Sequence, residues 1–234
     1  MYGYYNIPAP STTYRVELEE MIDAGIHIVI AAGNSYFKSD VVGGIDYNNR
    51  AIFNDYPGYS FYYHRQGSPE SPLAFNVGNI DSAQWDLSGN DYSENVTNSG
   101  PTILDIRSFS SVCGPAVDIW APGTNITSAC STISEMSIMS YPYNTNFKIT
   151  TITGTSMAAP QICGLCALYL QSEPTLTPTK LKQKILNDSK VVVMDTTNSG
   201  DNPIYRHPKC TNGSSNNMVY NRYCKQQPWS ITKS

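Results

Sequence analysis

A serine at the entrance to a predicted buried helix is the first residue of this chain whose setting could support catalysis. Ser156 follows Gly154 and Thr155 and precedes an apolar segment that runs to Leu170. The unbonded amide hydrogens and the positive end of such a helix stabilise negative charge beside the hydroxyl. A nucleophile of acyl transfer needs that setting, because an oxyanion develops next to it. The alternative is a serine that only caps its helix.

A second polar residue stands at the end of an apolar, β-branched run. Residues 26–32 are followed by Gly33 and Asn34. The run predicts a strand of a parallel sheet that is covered on both faces. Asn34 would then present its side-chain amide at the carboxyl end of that strand. The alternative is an Asn that stabilises a strand-to-loop turn.

The elements that must position these residues follow an α/β pattern. Helices are predicted at 11–24, at 155–170, where the helix is apolar on nearly all sides and therefore central, and at 177–187. In the last helix Leu181 and Ile185 are expected to face inward, and Lys180, Lys182 and Lys184 to face water. Further strands are predicted at 73–80 and 117–121, and polar loops at 34–67, 81–108 and 129–146.

Composition narrows the function. The chain has 234 residues and a net charge of −4, so a phosphate-binding surface and a nucleic-acid partner are not expected. It has no run of 18 apolar residues, so no membrane-spanning helix is expected. Its 17 Tyr and many Asn, Ser and Thr residues are typical of polar loops and adhesive surfaces, which favours an extracellular, virion or cell-surface location.

Two segments carry a resemblance to a known family. Residues 154–160, G-T-S-M-A-A-P, closely match the nucleophile motif of the subtilisin-like serine proteases, G-T-S-M-A-[SA]-P-H, with Gln161 in place of the His. Residues 28–34 resemble the family's strand that ends in A-A-G-N. Weaker matches follow in the family's order at 71–81, 108–111 and 117–123.

The resemblance implies a fold and an activity. The fold would be α/β, a subtilisin-like three-layer fold with a mainly parallel sheet flanked by helices, of which the N-terminal strands would be missing. Residues 1–189 would be the C-terminal part of the peptidase domain, and 190–234 a polar tail or small extension. The activity would be that of a serine endopeptidase acting on polypeptides through an acyl-enzyme on Ser156, with Asn34 in the oxyanion hole.

The resemblance also implies the residues around the substrate. Ala31, Ala32 and Gly33 would form the wall of the primary specificity pocket. Gly3 would lie in an edge strand that pairs with the substrate backbone. Gly154 and Thr155 would complete the substrate-binding site beside the nucleophile.

The family's catalytic Asp and His motifs, D-[ST]-G and H-G-T, do not occur before Asn34. Of the three histidines, His27 is expected in the core, His64 in a Tyr-rich loop and His207 in the polar tail. We therefore expect the isolated chain to be inactive without a partner, an N-terminal half that carries Asp and His. The alternative function is an inactive pseudoprotease fragment that serves as a structural or binding module.

The cysteines and acidic residues leave open whether the chain binds a metal ion or forms disulfides. Cys163 and Cys166 are interpreted as buried structural thiols, and a zinc site with Cys210 and Cys224 is a weaker alternative. Outside a cell, two pairs could form disulfides: Cys113 with Cys130, and Cys210 with Cys224. No cofactor is required. Calcium, which often stabilises the family, is left open, although the spacing of Asp40, Asp46 and Asp55 matches no calcium loop.

Overall fold

The structure, a computed structural model, describes residues 12–35, 38–52, 60–62, 64–65, 71–81, 106–108, 111–131, 138–191, 213–214 and 217–219. The helices are α1 (Thr12–Asp23), α2 (Thr155–Ser172) and α3 (Pro178–Asp188). The strands are β1 (Val29–Ala31), β2 (Arg50–Ile52), β3 (Ser60–Tyr62), β4 (Phe75–Asp81), β5 (Ile106–Arg107), β6 (Ile119–Pro122), β7 (Ile126–Cys130), β8 (Met139–Tyr141), β9 (Asn144–Ile152), β10 (Lys190–Val191) and β11 (Asn217–Met218). The predicted helices and the predicted strands β1, β4 and β6 are confirmed within a few residues.

The main sheet is largely parallel, as predicted. Its strands lie in the order β1-β4-β6-β11-β10, and β5 pairs with β4 off this path. The four strands from β1 to β11 run parallel, whereas β10 and β5 are antiparallel to their neighbours. Both β10 and β11 follow residue 189 and belong to this sheet; the domain boundary at that residue stays a prediction.

Helices cover both faces of the sheet. Along β1 the side chains alternate: Val29 and Ala31 contact the core that α2 and α3 form with β4 and β6. Ile30 points the other way and packs against Ile22 of α1. The α2 core includes Ile162, which is fully buried, and a buried aliphatic side chain of this kind stabilises the fold by about 1.5–3 kcal/mol. The result is the predicted three-layer arrangement.

One lysine of α3 is buried, and the prediction that it faces water is wrong. Lys182 is only 8% exposed. Its Nζ donates to the carbonyls of Pro72 (2.9 Å) and Ala74 (2.6 Å) and to Oδ2 of Asp118 (2.8 Å). These three acceptors replace water around the ammonium group, so the burial that usually disfavours a lysine is compensated.

Helix α2 is central on one face only. Its buried face contacts β1, β4 and β6. The opposite face is exposed to solvent and carries Pro160, Cys163, Gly164, Ala167 and Leu168. The prediction of a helix buried on all sides is therefore wrong for this face. In the part of the chain that the structure describes, no helix has the length and apolar character needed to span a bilayer.

The predicted loop at 129–146 is wrong, because this region contributes strands to a second sheet. Strands β7, β9 and β8 form an antiparallel sheet in that order. Strands β2 and β3 likewise pair antiparallel inside the predicted loop at 34–67. Thr, Ser and Asn dominate much of β7 and β9 and mask the alternation that predicts a strand.

Candidate active site

Asn34 is delivered to the carboxyl end of the parallel sheet by the geometry of β1. The strand pairing continues past Ala31, because the amide of Ala32 donates to the carbonyl of Val77 (3.0 Å). At Gly33 the backbone turns away with φ 112°, a conformation that favours glycine. The Gly33 carbonyl accepts the amide of Val112 (2.9 Å), which fixes the turn. Asn34, the next residue, is exposed at the edge where parallel sheets bind their ligands.

The side chain of Asn34 is oriented by Thr155, at the start of α2. Its Oδ1 accepts two hydrogen bonds, from the Thr155 amide (3.0 Å) and from Thr155 Oγ1 (3.1 Å). Thr155 Oγ1 in turn accepts the Gly33 amide (3.1 Å). A backbone N–H can only donate, so the atom facing it must be the carbonyl oxygen of the amide. Nδ2 is therefore the end of this amide group that faces away from the Thr155 amide, and it can act as a donor to a ligand.

Ser156 lies beside this donor, in the first turn of α2. The helix is capped by Gly154, and a Cβ built on Gly154 would lie 3.1 Å from Asn34 Nδ2, so the two segments touch. Ser156 is exposed. Its amide is one of the first-turn N–H groups that have no acceptor within the helix. The Ser156 hydroxyl and this amide thus lie at the positive end of α2, next to the residues that contact the Asn34 side chain.

Pro160 modifies this end of the helix. It lies inside α2, in the second turn. Proline has no amide hydrogen, so the Ser156 carbonyl cannot receive the usual helical hydrogen bond from residue 160. The helix therefore begins with a locally weakened turn at the serine.

The turn that presents Ser156 is held by the end of β6. The Gly154 amide donates to the carbonyl of Gly123 (2.9 Å). A Cβ on Gly123 would lie 2.6 Å from the Gly154 carbonyl oxygen and 2.9 Å from the Ala158 amide nitrogen, so only glycine fits there. Gln161, where the family has His, donates through Nε2 to the carbonyl of Pro122. Sequence reasoning assigned no role to Gly123, although the segment 117–123 was noted for its resemblance.

The structure brings most of the sequence-predicted site residues together. Gly154 and Thr155 are buried beneath the serine, and Ala31, Ala32 and Gly33 are buried or half-buried on the neighbouring strand end. Gly3 lies outside the described residues. The substrate-binding roles of these residues stay predictions.

The described histidines lie in other settings. His27 is half-buried just before β1, and burial lowers its pKa. His64 is buried, and its Nδ1 donates to the carbonyl of Lys38 (2.9 Å). Burial lowers the pKa of His64, partly opposed by the Lys38 carbonyl and by the nearby Asp46. His207 lies outside the described residues.

The cysteines and acidic residues give mixed outcomes. Cys166 is buried as predicted, and burial together with the nearby Cys163 raises its pKa to about 12. The prediction that Cys163 is buried is wrong, because this thiol lies on the exposed face of α2. Cys113 and Cys130 are not joined in a disulfide; Cys113 is buried instead in the core beside Trp120. Cys210 and Cys224 lie outside the described residues.

The described carboxylates do not fit a calcium site. Asp40 accepts the amides of Val41 and Asp46 (both 2.9 Å). Asp46 pairs with Lys38 (2.6 Å). Over the described ranges, no three His, Cys, Asp or Glu side chains are grouped so that they could hold a metal ion. Asp55 lies outside these ranges, and calcium stays a prediction.

Comparison with solved structures defines the class of fold. The structure of a cold adapted subtilisin-like serine proteinase matches with a TM-score of 0.56. The match covers 92% of this chain and 52% of that protein, at 23% sequence identity. The chain therefore has a subtilisin-like α/β fold.

Comparison with sequence families identifies the family as well as the fold. A model of the subtilase family matches residues 8–220, which is most of the chain. The chain therefore belongs to the subtilase family.

Individual relatives cover smaller parts. The chain is 37% identical over 91 residues to the extracellular serine proteinase of Thermus sp. (strain Rt41A), covering 39% of this chain and 19% of that protein. It is 32% identical over 143 residues to alkaline serine exoprotease A of Vibrio alginolyticus, covering 60% of this chain and 24% of that protein. It is 29% identical over 170 residues to serine protease AprX of Bacillus subtilis (strain 168), covering 73% of this chain and 31% of that protein. The chain spans less than a third of the length of each.

Proposed function

We propose that this chain supplies the nucleophile and the oxyanion hole of a serine endopeptidase that acts on polypeptides. The observation that carries the proposal is the pair of hydrogen bonds from Thr155 to Asn34 Oδ1, because they leave Nδ2 as the donor beside Ser156. Membership of the subtilase family and the serine proteinases among the relatives support it.

The mechanism follows from the positions of these groups. A base removes the proton of Ser156 Oγ while the oxygen attacks the scissile carbonyl carbon. The carbonyl oxygen becomes an oxyanion, which Asn34 Nδ2 and the Ser156 amide stabilise at the helix N-terminus. The amine then leaves with the proton from the base, and water hydrolyses the acyl ester on Ser156. Loss of the oxyanion-hole Asn costs about 10²–10³ in kcat, a value that belongs to subtilisin itself, a member of this family.

We propose that the base and its orienting carboxylate come from a partner segment that carries Asp and His. His27 and His64, the described histidines, lie before β1 and beside Lys38, and the proposal assigns neither of them to Ser156. Without a base the serine hydroxyl is a weak nucleophile, so the isolated chain is expected to be inactive. An extracellular location is part of the proposal and is supported by the similarity to the extracellular serine proteinase of Thermus sp..

A binding module without catalysis is the second candidate. The observation in its favour is the group of exposed aromatic side chains on the second sheet, where Tyr143 is 88% and Phe147 is 62% exposed. Such side chains are common at protein interfaces. The intact pairing of Asn34 with Thr155 favours the peptidase, because a binding module does not need an oriented oxyanion donor.

Complementation separates the two candidates. The chain is refolded with the Asp- and His-bearing N-terminal half of a subtilase, and cleavage of a fluorogenic polypeptide is measured. We expect cleavage by the mixture and none by either half alone, and we expect Ser156→Ala to abolish it. Polypeptide binding without cleavage, by a mixture shown to be associated, would favour the binding module.

A further inference from the structure

The second sheet, β7-β9-β8, has two unlike faces. Side chains of directly paired residues point to the same face of a sheet. The pairings Thr127–Thr151, Ala129–Ile149 and Met139–Ile149 therefore define one face. Phe147 joins it by the alternation along β9. We name these six residues the outward face: Thr127, Ala129, Met139, Phe147, Ile149 and Thr151.

Four of the six side chains of the outward face are apolar, and most of the face is exposed. Met139 is 52% and Phe147 is 62% exposed, and Ala129 is exposed as well. None of the six side chains is charged. A sheet with one solvated face normally places polar residues there, so an apolar solvated face indicates a surface that another molecule covers.

The opposite face of the sheet is more buried. Thr150 is 5% exposed, and Ile126, Lys148 and Ile152 are half-buried. Lys148 Nζ donates to Ser140 Oγ (2.8 Å), which ties β9 to β8. The more buried side chains thus lie on this opposite face, whereas Met139 and Phe147 of the outward face are left in solvent.

The sheet is continuous with the nucleophile turn. Strand β9 ends at Ile152 and leads through Gly154 directly to Ser156. Across from it, the Asn125 amide at the start of β7 donates to Thr153 Oγ1 (2.9 Å). The hydrogen bond between Gly154 and Gly123 closes the base of the sheet beneath the serine. A polypeptide whose scissile carbonyl is at Ser156 would therefore have this sheet within its reach.

We propose that the outward face is a docking surface for an extended, apolar segment of the polypeptide substrate; the proposal rests on the proposed function. Four residue steps along β9, from Thr151 to Phe147, span about 13 Å. The five residue steps from Thr151 to Ser156 span at most about 17 Å. The surface is thus suited to substrate residues about five to nine positions from the scissile bond, and it would favour unfolded chains whose apolar side chains are accessible.

Binding tests the proposal without catalysis. The variant Ser156→Ala is mixed with a fluorescein-labelled extended peptide of about ten residues that has Leu at alternate positions, and anisotropy gives the Kd. We expect the added double substitution Met139→Ser with Phe147→Ser to raise the Kd at least tenfold. Ile45→Ser is the matched control, because Ile45 is 90% exposed on a loop outside this sheet, and it should change the Kd less than twofold. A peptide with Ser in place of Leu should bind at least tenfold more weakly.

Other results would overturn the proposal. These are no measurable binding by the parent variant, an equal loss in the Ile45→Ser control, or an unchanged Kd in the double variant. Conversion of a dimer to a monomer by the double substitution, measured by sedimentation without peptide, would assign the face to self-association instead. Failed complementation with face-dependent peptide binding would reject the peptidase function alone, and cleavage without face-dependent binding would reject the docking surface alone.

Discussion

Replacing the serine by a thiol makes the electrostatics of the site measurable in the isolated chain. Ser156→Cys places a titratable group at the N-terminus of α2, beside the amide of Asn34. The groups proposed to stabilise an oxyanion on the substrate should also stabilise a thiolate at residue 156, because both anions lie beside the first turn of α2. The variant therefore tests the oxyanion hole without a catalytic base.

The expected shift can be worked out from the contacts. A helix N-terminus stabilises an anion by about 0.3–1 kcal/mol at an exposed position. A hydrogen bond from Asn34 Nδ2 to a charged acceptor adds about 1.5 kcal/mol at the lower end of its range, and exposure of residue 156 reduces this further. Since about 1.36 kcal/mol corresponds to one pKa unit, we expect the thiol pKa to lie about one unit below the ordinary value of about 8.5.

The assay is the rate of alkylation as a function of pH, followed for each cysteine by mass spectrometry of peptides. Cys163 is the internal control, because it lies on the solvent-exposed face of the same helix. Partial desolvation of its thiol raises its pKa, so its shift has the opposite sign to the one expected at residue 156. Asn34→Ala should raise the pKa of the thiol at position 156. Asn34→Asp should raise it further, because it removes the donor and adds a negative charge. A thiol pKa at or above the ordinary value, or a thiol pKa that neither Asn34 variant changes, would refute the reasoning.

Three further predictions concern the frame around the site. Lys182→Met should lower the free energy of unfolding in urea by about 3 kcal/mol, because it leaves Asp118 half-buried without its cation; a loss below about 1 kcal/mol would contradict the burial described. Gly123→Ala should cost about 1–3 kcal/mol and slow alkylation in the Ser156→Cys background, because the methyl group displaces the nucleophile turn; an unchanged rate would show that the turn has room. Burial works to raise the pKa of Asp46, but Lys38 lowers it overall, so its stabilisation is present above pH of about 4 and is lost as the pH falls further; Lys38→Met should flatten that part of the stability profile in urea unfolding.

The parallel part of the fold was predictable because its signals are local. The β-branched run before Gly33 and the apolar segment after Ser156 are long enough to identify a buried strand and a core helix. The order of these elements with 75–81 and 119–122 then indicates an α/β sheet.

The remaining features depend on tertiary contacts. Lys182 has the side chain of a surface residue, and its burial is favourable because of its contacts with the carbonyls of Pro72 and Ala74 and with the Asp118 carboxylate. The second sheet has Thr, Ser and Asn on its strands, and several of its apolar residues face outward, so the usual alternation does not mark a core. The orientation of the Asn34 amide likewise follows from Thr155, which is 121 residues away along the chain.

The most direct test of the account is the labelling of Ser156 by a fluorophosphonate probe, located by mass spectrometry. The reaction requires an activated serine, so it reports the nucleophile and its base together. We predict no labelling of the isolated chain and stoichiometric labelling of Ser156 when the Asp- and His-bearing half of a subtilase is bound to it. Labelling of Ser156 in the isolated chain, or of another serine in the bound pair, would contradict the account.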